Sequence, residues 1–155
     1  MEDINPYRRP AAVVMGEPTP LEGARLYKVS GIGLATFMGS VLAGGWLIAR
    51  NYRALGEPDK ANRALMYAVL AMLVVTGVAL LLPDGVPGIA LTVPQILATM
   101  HIARQRQGGP IARYQADART YSNWRAFGVS LLVVVLLIVV AFAVVFPLTM
   151  AGLIE

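Results

Sequence analysis

The stretch from Leu131 to Phe146 holds sixteen consecutive residues without a polar side chain, and fourteen of them are Leu, Val, Ile or Phe. Such residues each favour insertion at mid-membrane by roughly 0.3 to 0.6 kcal/mol. The segment 126–146 therefore predicts a transmembrane helix, with Ser122 as its N-cap and Trp124 as an interfacial anchor. Composition points the same way, because 57% apolar against 14% charged residues is too greasy for an ordinary soluble domain of this length.

Three further apolar segments follow from the same reading. Segment 64–82 has polar groups only on Tyr67 and Thr76 and matches the ~20 residues that cross a ~30 Å hydrocarbon core. Segment 86–103 is weaker. It carries Thr92, Pro94, Gln95 and Thr99, and Pro94 removes a backbone donor in its middle. The link Pro83-Asp84-Gly85-Val86-Pro87 is turn chemistry, so a tight helical hairpin between these two segments is expected. Segment 30–49 is long enough to cross but is interrupted by Gly31, Gly33, Gly39, Ser40, Gly44 and Gly45. The expected fold class is an all-α integral membrane bundle of four hydrophobic segments (about 30–49, 64–82, 86–103 and 126–146). The first is Gly-rich with a re-entrant path open to it, and the third is kinked at Pro94. Residues 1–27, with four prolines and little periodicity, are expected to form a disordered tail ahead of a transmembrane domain at 28–155.

The basic residues set the orientation. Four lie in the tail (Arg8, Arg9, Arg25, Lys28), four follow the first segment (Arg50, Arg53, Lys60, Arg63), and five separate the third and fourth (Arg104, Arg106, Arg113, Arg119, Arg125). None occupies the 83–87 link or follows the last segment. Loops 50–63 and 104–125 are therefore expected in the cytoplasm and the C-terminus outside. If the first segment crosses, the inside-to-outside count is 9 to 4; if it enters and leaves on one side, 13 to 0. Charge favours the re-entrant path, but at ~1.5 Å per residue the segment already matches the membrane, and a full crossing is the expectation taken.

Within "GSVLAGGW" the glycines lack the Lys-Ser/Thr and the preceding strand of a phosphate-binding loop. They form instead a row of small residues, Gly31, Ala35, Gly39 and Ala43, that lets another helix approach closely in lipid. Packing within its own bundle is the plainer use; a homo-oligomer face or a partner membrane protein is the other. Thr92, Gln95 and Thr99 share one helical face, for which interhelical hydrogen bonds to Thr36, Ser40 or Thr76 are the structural reading and a polar substrate path the functional one. After the first segment, Gly56 suits a left-handed C′ position and Pro58 the start of the next helix. Between segments three and four, Ile111, Tyr114, Ala118 and Tyr121 recur at the spacing of a short amphipathic surface helix.

Reactive chemistry is sparse. The chain has no cysteine, and its single histidine, His101, has neither a second histidine nor an acid close in sequence. No carboxylate or basic residue lies deep inside an apolar segment, which is where coupled carriers mark their ion paths. No catalytic, cofactor-binding or metal-binding residues are expected, and the net charge of +4 is read as membrane topology, without a nucleic-acid partner.

The tail "INPYRRP", the run "ATFMGSVLAGGWLIARNYRALGEPDKA" and the "SNWRAFG" that opens the last segment together resemble a family of small uncharacterised bacterial inner-membrane proteins. That family shares an Asn-Pro-Tyr tail and a Gly-rich first segment ending in Asn-Tyr-Arg-x-Leu-Gly. The resemblance covers about half the chain and implies a bacterial inner-membrane location without implying an activity. Its members often carry Gly-Pro where this chain has Ser40 and Val41, so no sharp backbone break is expected here. The functional expectation is a non-catalytic multi-pass membrane protein, accessory or scaffold through helix packing and bound to the lipid bilayer. The alternative is a minimal transporter or channel subunit using the polar face of the third segment.

Overall fold

The computed structural model describes residues 20–83 and 85–152; most of the N-terminal tail expected to be disordered lies outside them, as does Asp84 in the 83–87 link. The described residues form four helices: α1 (Val29–Ala54), α2 (Pro58–Leu81), α3 (Ile89–Ala116) and α4 (Asn123–Met150). The fold is a helical membrane bundle. α1, α2 and α4 are each long and apolar enough to cross a membrane, whereas α3 is long but carries Arg104, Arg106 and Arg113 in its second half.

α1 does not run straight. Gly39 (φ −120°, ψ 22°) and Ser40 (φ 67°, ψ 179°) leave helical geometry, and the chain reverses there. The backbone N–H of Tyr27 donates to Asn51 Oδ1 at 2.7 Å, and the Asn51 amide donates back to the Tyr27 carbonyl at 3.0 Å. Leu21 N–H donates to Ala54 O at 3.0 Å. A straight helix of 26 residues would hold its ends ~39 Å apart. The two limbs, 29–38 and 41–54, therefore lie against each other as an antiparallel hairpin whose ends emerge together. The expectation of a full crossing by this segment is corrected: length and composition allowed it, but glycines let the limbs close on each other. The expectation that Ser40-Val41 would not break sharply is corrected with it.

The hairpin is the core of the molecule. Ile32, Ala35, Ala43 and Leu47 have no exposed surface, and Gly31, Gly33, Gly39, Gly44 and Gly45 are buried. α2, α3 and α4 each pack on α1 and hardly touch one another. The tight α2–α3 hairpin expected from the 83–87 link is thus absent, because the second limb of α1 stands between the two helices. From Val41 to Asn51 the limb rises ~15 Å, about half a hydrocarbon core. Beyond that depth the far halves of α2 and α4 have no central element to pack on, and Leu80, Leu81, Leu136, Ile138 and Phe142 are more than half exposed.

The ends of the helices follow their local sequence. α1 closes with paired bonds from Gly56 N–H to Arg53 O and Glu57 N–H to Tyr52 O, with Gly56 at φ +78°, and Pro58 opens α2. Ser122 precedes α4 as its N-cap residue, although its hydroxyl makes no capping bond. α3 passes through Pro94 and Pro110 as a single helix to Ala116. The separate amphipathic helix expected around Ile111 and Tyr114 is in fact the last turns of α3, ended by Asp117 and by Ala118 at φ 55°. Residues 20–27 also depart from the expectation of disorder: Leu26 is fully buried, donates to Arg119 O at 3.2 Å and accepts from Tyr121 N–H at 2.9 Å. Sequence composition described this stretch as tail, but its main chain is held by two other parts of the fold.

Candidate functional site

Two places combine polar groups with depth. The first is the tip of the α1 hairpin. Breaking a helix at Ser40 frees the N–H groups that begin the second limb, and these need acceptors away from water. Leu42 N–H donates to Ser40 Oγ at 3.3 Å, and Val41 N–H donates to Gln95 Oε1 at 3.3 Å. Gln95 is held by its own helix, since its Nε2 donates to Leu91 O at 3.0 Å. One side chain of α3 thereby caps a half-helix that starts inside the bundle.

The other polar-face residues act locally. Thr92 Oγ1 donates to Gly88 O at 3.0 Å and Thr99 Oγ1 to Gln95 O at 2.7 Å; Thr36 Oγ1 donates to Ile32 O at 3.0 Å. Among the described residues none of the interhelical bonds expected from this face to Thr36, Ser40 or Thr76 is formed: Gln95 accepts instead from the Val41 backbone, and Thr76 stays exposed on α2. Thr99 lies beside the limb contact, where a Cβ on Gly44 would run into Thr36 Oγ1 and meet Thr99 Cγ2 at 2.8 Å.

The small-residue row is used within the chain. Ala35 and Ala43 are fully buried, a Cβ on Gly31 would meet Ala126 Cβ at 3.2 Å, and one on Gly39 would meet Ala43 Cβ at 2.7 Å and Ser130 O at 3.0 Å. The row therefore faces α4 and the opposing limb, leaving no open face on these four residues for a second copy.

The second place lies at the end of the bundle where the basic residues gather. Asn51 and Gln107 are both fully buried. Besides its two bonds to Tyr27, Asn51 donates from Nδ2 to Gln107 Oε1 at 3.1 Å, and Gln107 Nε2 donates to Ile48 O at 2.9 Å. This cluster ties the chain entering the hairpin, the limb leaving it and α3 into one joint, with the Tyr27 and Tyr121 rings 4.7 Å apart beside it. Neither amide is singled out by the sequence. Asn51 immediately follows the apolar run in "ARNYR" and reads as part of a polar turn; Gln107 sits in "RQRQGG", beyond the predicted end of the third segment.

A cleft of about 610 Å³ opens between α2 and α3 and is floored by the second limb of α1. Val41, Gly45, Ala68 and Ala71 line its deep part, and Lys60, Arg63 and Arg106 its mouth. His101 is exposed on α3 and borders a different, shallower depression with Leu97 and Arg104. Among the described residues no three His, Cys, Asp or Glu side chains converge as metal ligands.

No protein family, curated protein or solved structure matches the chain. The geometry of this molecule carries the functional argument.

Proposed function

We propose that this is a non-catalytic multi-pass protein of the bacterial inner membrane, working as an accessory or scaffold subunit through helix packing. In this reading α2, α3 and α4 cross the bilayer, α1 enters and leaves on the cytoplasmic side, and the C-terminus is outside. The observation that carries the arrangement is the closure of α1 on itself, which brings Tyr27 and Asn51 together at the end of the bundle that holds the basic loops. With the hairpin returned, the tail joins loops 50–63 and 104–125, and the orientation count becomes 13 to 0.

Scaffolding is supported by how unevenly the bundle is packed. The basic-side half is filled by the hairpin, whereas the far halves of α2 and α4 offer apolar helix faces to whatever lies beside them in the bilayer. Photo-crosslinkers at Leu73, Leu136 and Val140 in intact membranes test this role. Discrete protein adducts are expected; adducts with lipid alone would contradict a scaffold. The partner in this reading is a membrane protein or a further copy of the chain.

One observation favours a second reading, a minimal transporter or channel subunit. The second limb of α1 starts inside the bundle beside Gln95, and interrupted helices of this kind often line substrate sites. Cysteines at Thr92, Gln95 and Thr99 distinguish the two. Labelling by a water-soluble thiol reagent supports a path, while dry, unreactive positions leave Gln95 as a structural cap.

A further inference from the structure

We propose that the cleft between α2 and α3 is a binding site for an anionic phospholipid, with the phosphate at Arg63 and Arg106 and an acyl chain along Ala71 and Ile102. The proposal rests on the membrane placement above and adds a ligand to it. The cleft has the polarity gradient of such a lipid: cations at the mouth, at the basic end of the bundle, and small apolar side chains deeper in. Its depth follows from the fold, because the hairpin separates α2 from α3 and Gly45, packed against Ala68, keeps the floor low.

Charge complementarity selects the headgroup. Among the described residues no carboxylate lines the cleft. Among the described residues the one ion pair joins Lys60 to Glu57 at 2.7 Å, so Arg63 and Arg106 remain without an acidic partner. Both arginines are exposed, and Tyr67 on the same wall presents a ring with a polar tip at the boundary between headgroup and chain. Basic pockets between transmembrane helices on the cytoplasmic side are suited to acidic lipid headgroups, with ~1 kcal/mol for each arginine near the surface. A zwitterionic lipid brings a cation of its own to the same place and loses that advantage.

The test uses the full chain purified in an uncharged detergent. It is titrated with phosphatidylglycerol or phosphatidylcholine of identical acyl chains, and retained lipid is counted by native mass spectrometry. Phosphatidylglycerol is expected to be retained about thirtyfold better, about fivefold for each arginine. Arg63→Gln with Arg106→Gln should remove that preference, whereas Arg50→Gln with Arg113→Gln, outside the cleft, should keep it. Ala71→Phe, which fills the wall, should lower retention of the lipid, and millimolar orthophosphate should not displace it. Equal retention of the two lipids by the unaltered chain overturns the proposal, and this comparison needs no variant to fold. Equal loss in both arginine pairs, displacement by orthophosphate, or an indifferent Ala71→Phe also overturns it. Membrane fractionation of each variant reports separately on the membrane placement, whose failure would release the protein from the membrane fraction.

Discussion

Asn51 commits both ends of its amide to groups that have no water to turn to. Its removal in Asn51→Ala strands the Tyr27 N–H and C=O and leaves Gln107 short of a donor, all three residues being buried. Each orphaned group costs ~1 to 3 kcal/mol, and partial relaxation brings the expected loss to about 3 kcal/mol in equilibrium unfolding of the detergent-solubilised protein. Ser40 works in the opposite sense. Its φ of 67° with ψ near 180° belongs to a region that is essentially restricted to glycine and costs ~1 to 3 kcal/mol for other residues. Ser40→Gly removes that strain at the expense of a weak cap on Leu42, so stability should rise by about 1 kcal/mol in the same measurement. A loss of stability would mean that the Oγ cap outweighs the backbone strain. A Gly-Pro pair at 40 and 41 would fit the break for the same reason, since glycine accepts the dihedral and proline has no N–H to satisfy. Here the break occurs with Ser-Val, because Gln95 accepts the bond that proline would have made unnecessary. Nothing local to Ser40 or Val41 announces this; Gln95 lies 54 residues away.

At the scale of elements, the apolar runs located all four helices, and Gly56 and Pro58 fixed the turn between α1 and α2. Periodicity could not show where α3 ends, because its last turns carry arginines and "GGP", and tertiary contacts through Gln107 and Ile111 override their poor helix propensity. It also could not distinguish one crossing from two limbs, since a hairpin of half-helices and a straight helix present the same apolar residues. The glycines decide between them, but by what they touch. Gly44 meets Thr36 across the hairpin and Gly45 meets Ala68 on α2, whereas Gly77 on α2 has nothing within 4 Å of a Cβ. Gly44→Leu should therefore destabilise by at least the ~1 to 3 kcal/mol of an overpacked core, while Gly77→Leu should stay within about 0.5 kcal/mol. Equal effects at the two sites, read from thermal unfolding in one detergent, would contradict the close approach of the limbs.

For the whole molecule, one reversal inside α1 changes the parity of the chain. Four crossings put both termini on one side, and three crossings with a re-entrant hairpin put them on opposite sides. The basic loops and the apolar lengths disagree about the tail by themselves; contacts between residues 24 or more positions apart bring the chain that enters α1 back beside the end where α1 leaves. The same reversal opens the cleft between α2 and α3 and leaves the far halves of the spans without a central filler, so the candidate ligand site and the candidate partner surface both follow from it. The most direct measurement is a pair of compartment reporters, active only in the cytoplasm or only outside it, fused in turn to the N-terminus and the C-terminus of the full chain. The folded-back α1 predicts a cytoplasmic N-terminus with an external C-terminus. Both termini on the outside would contradict it and restore a fourth crossing.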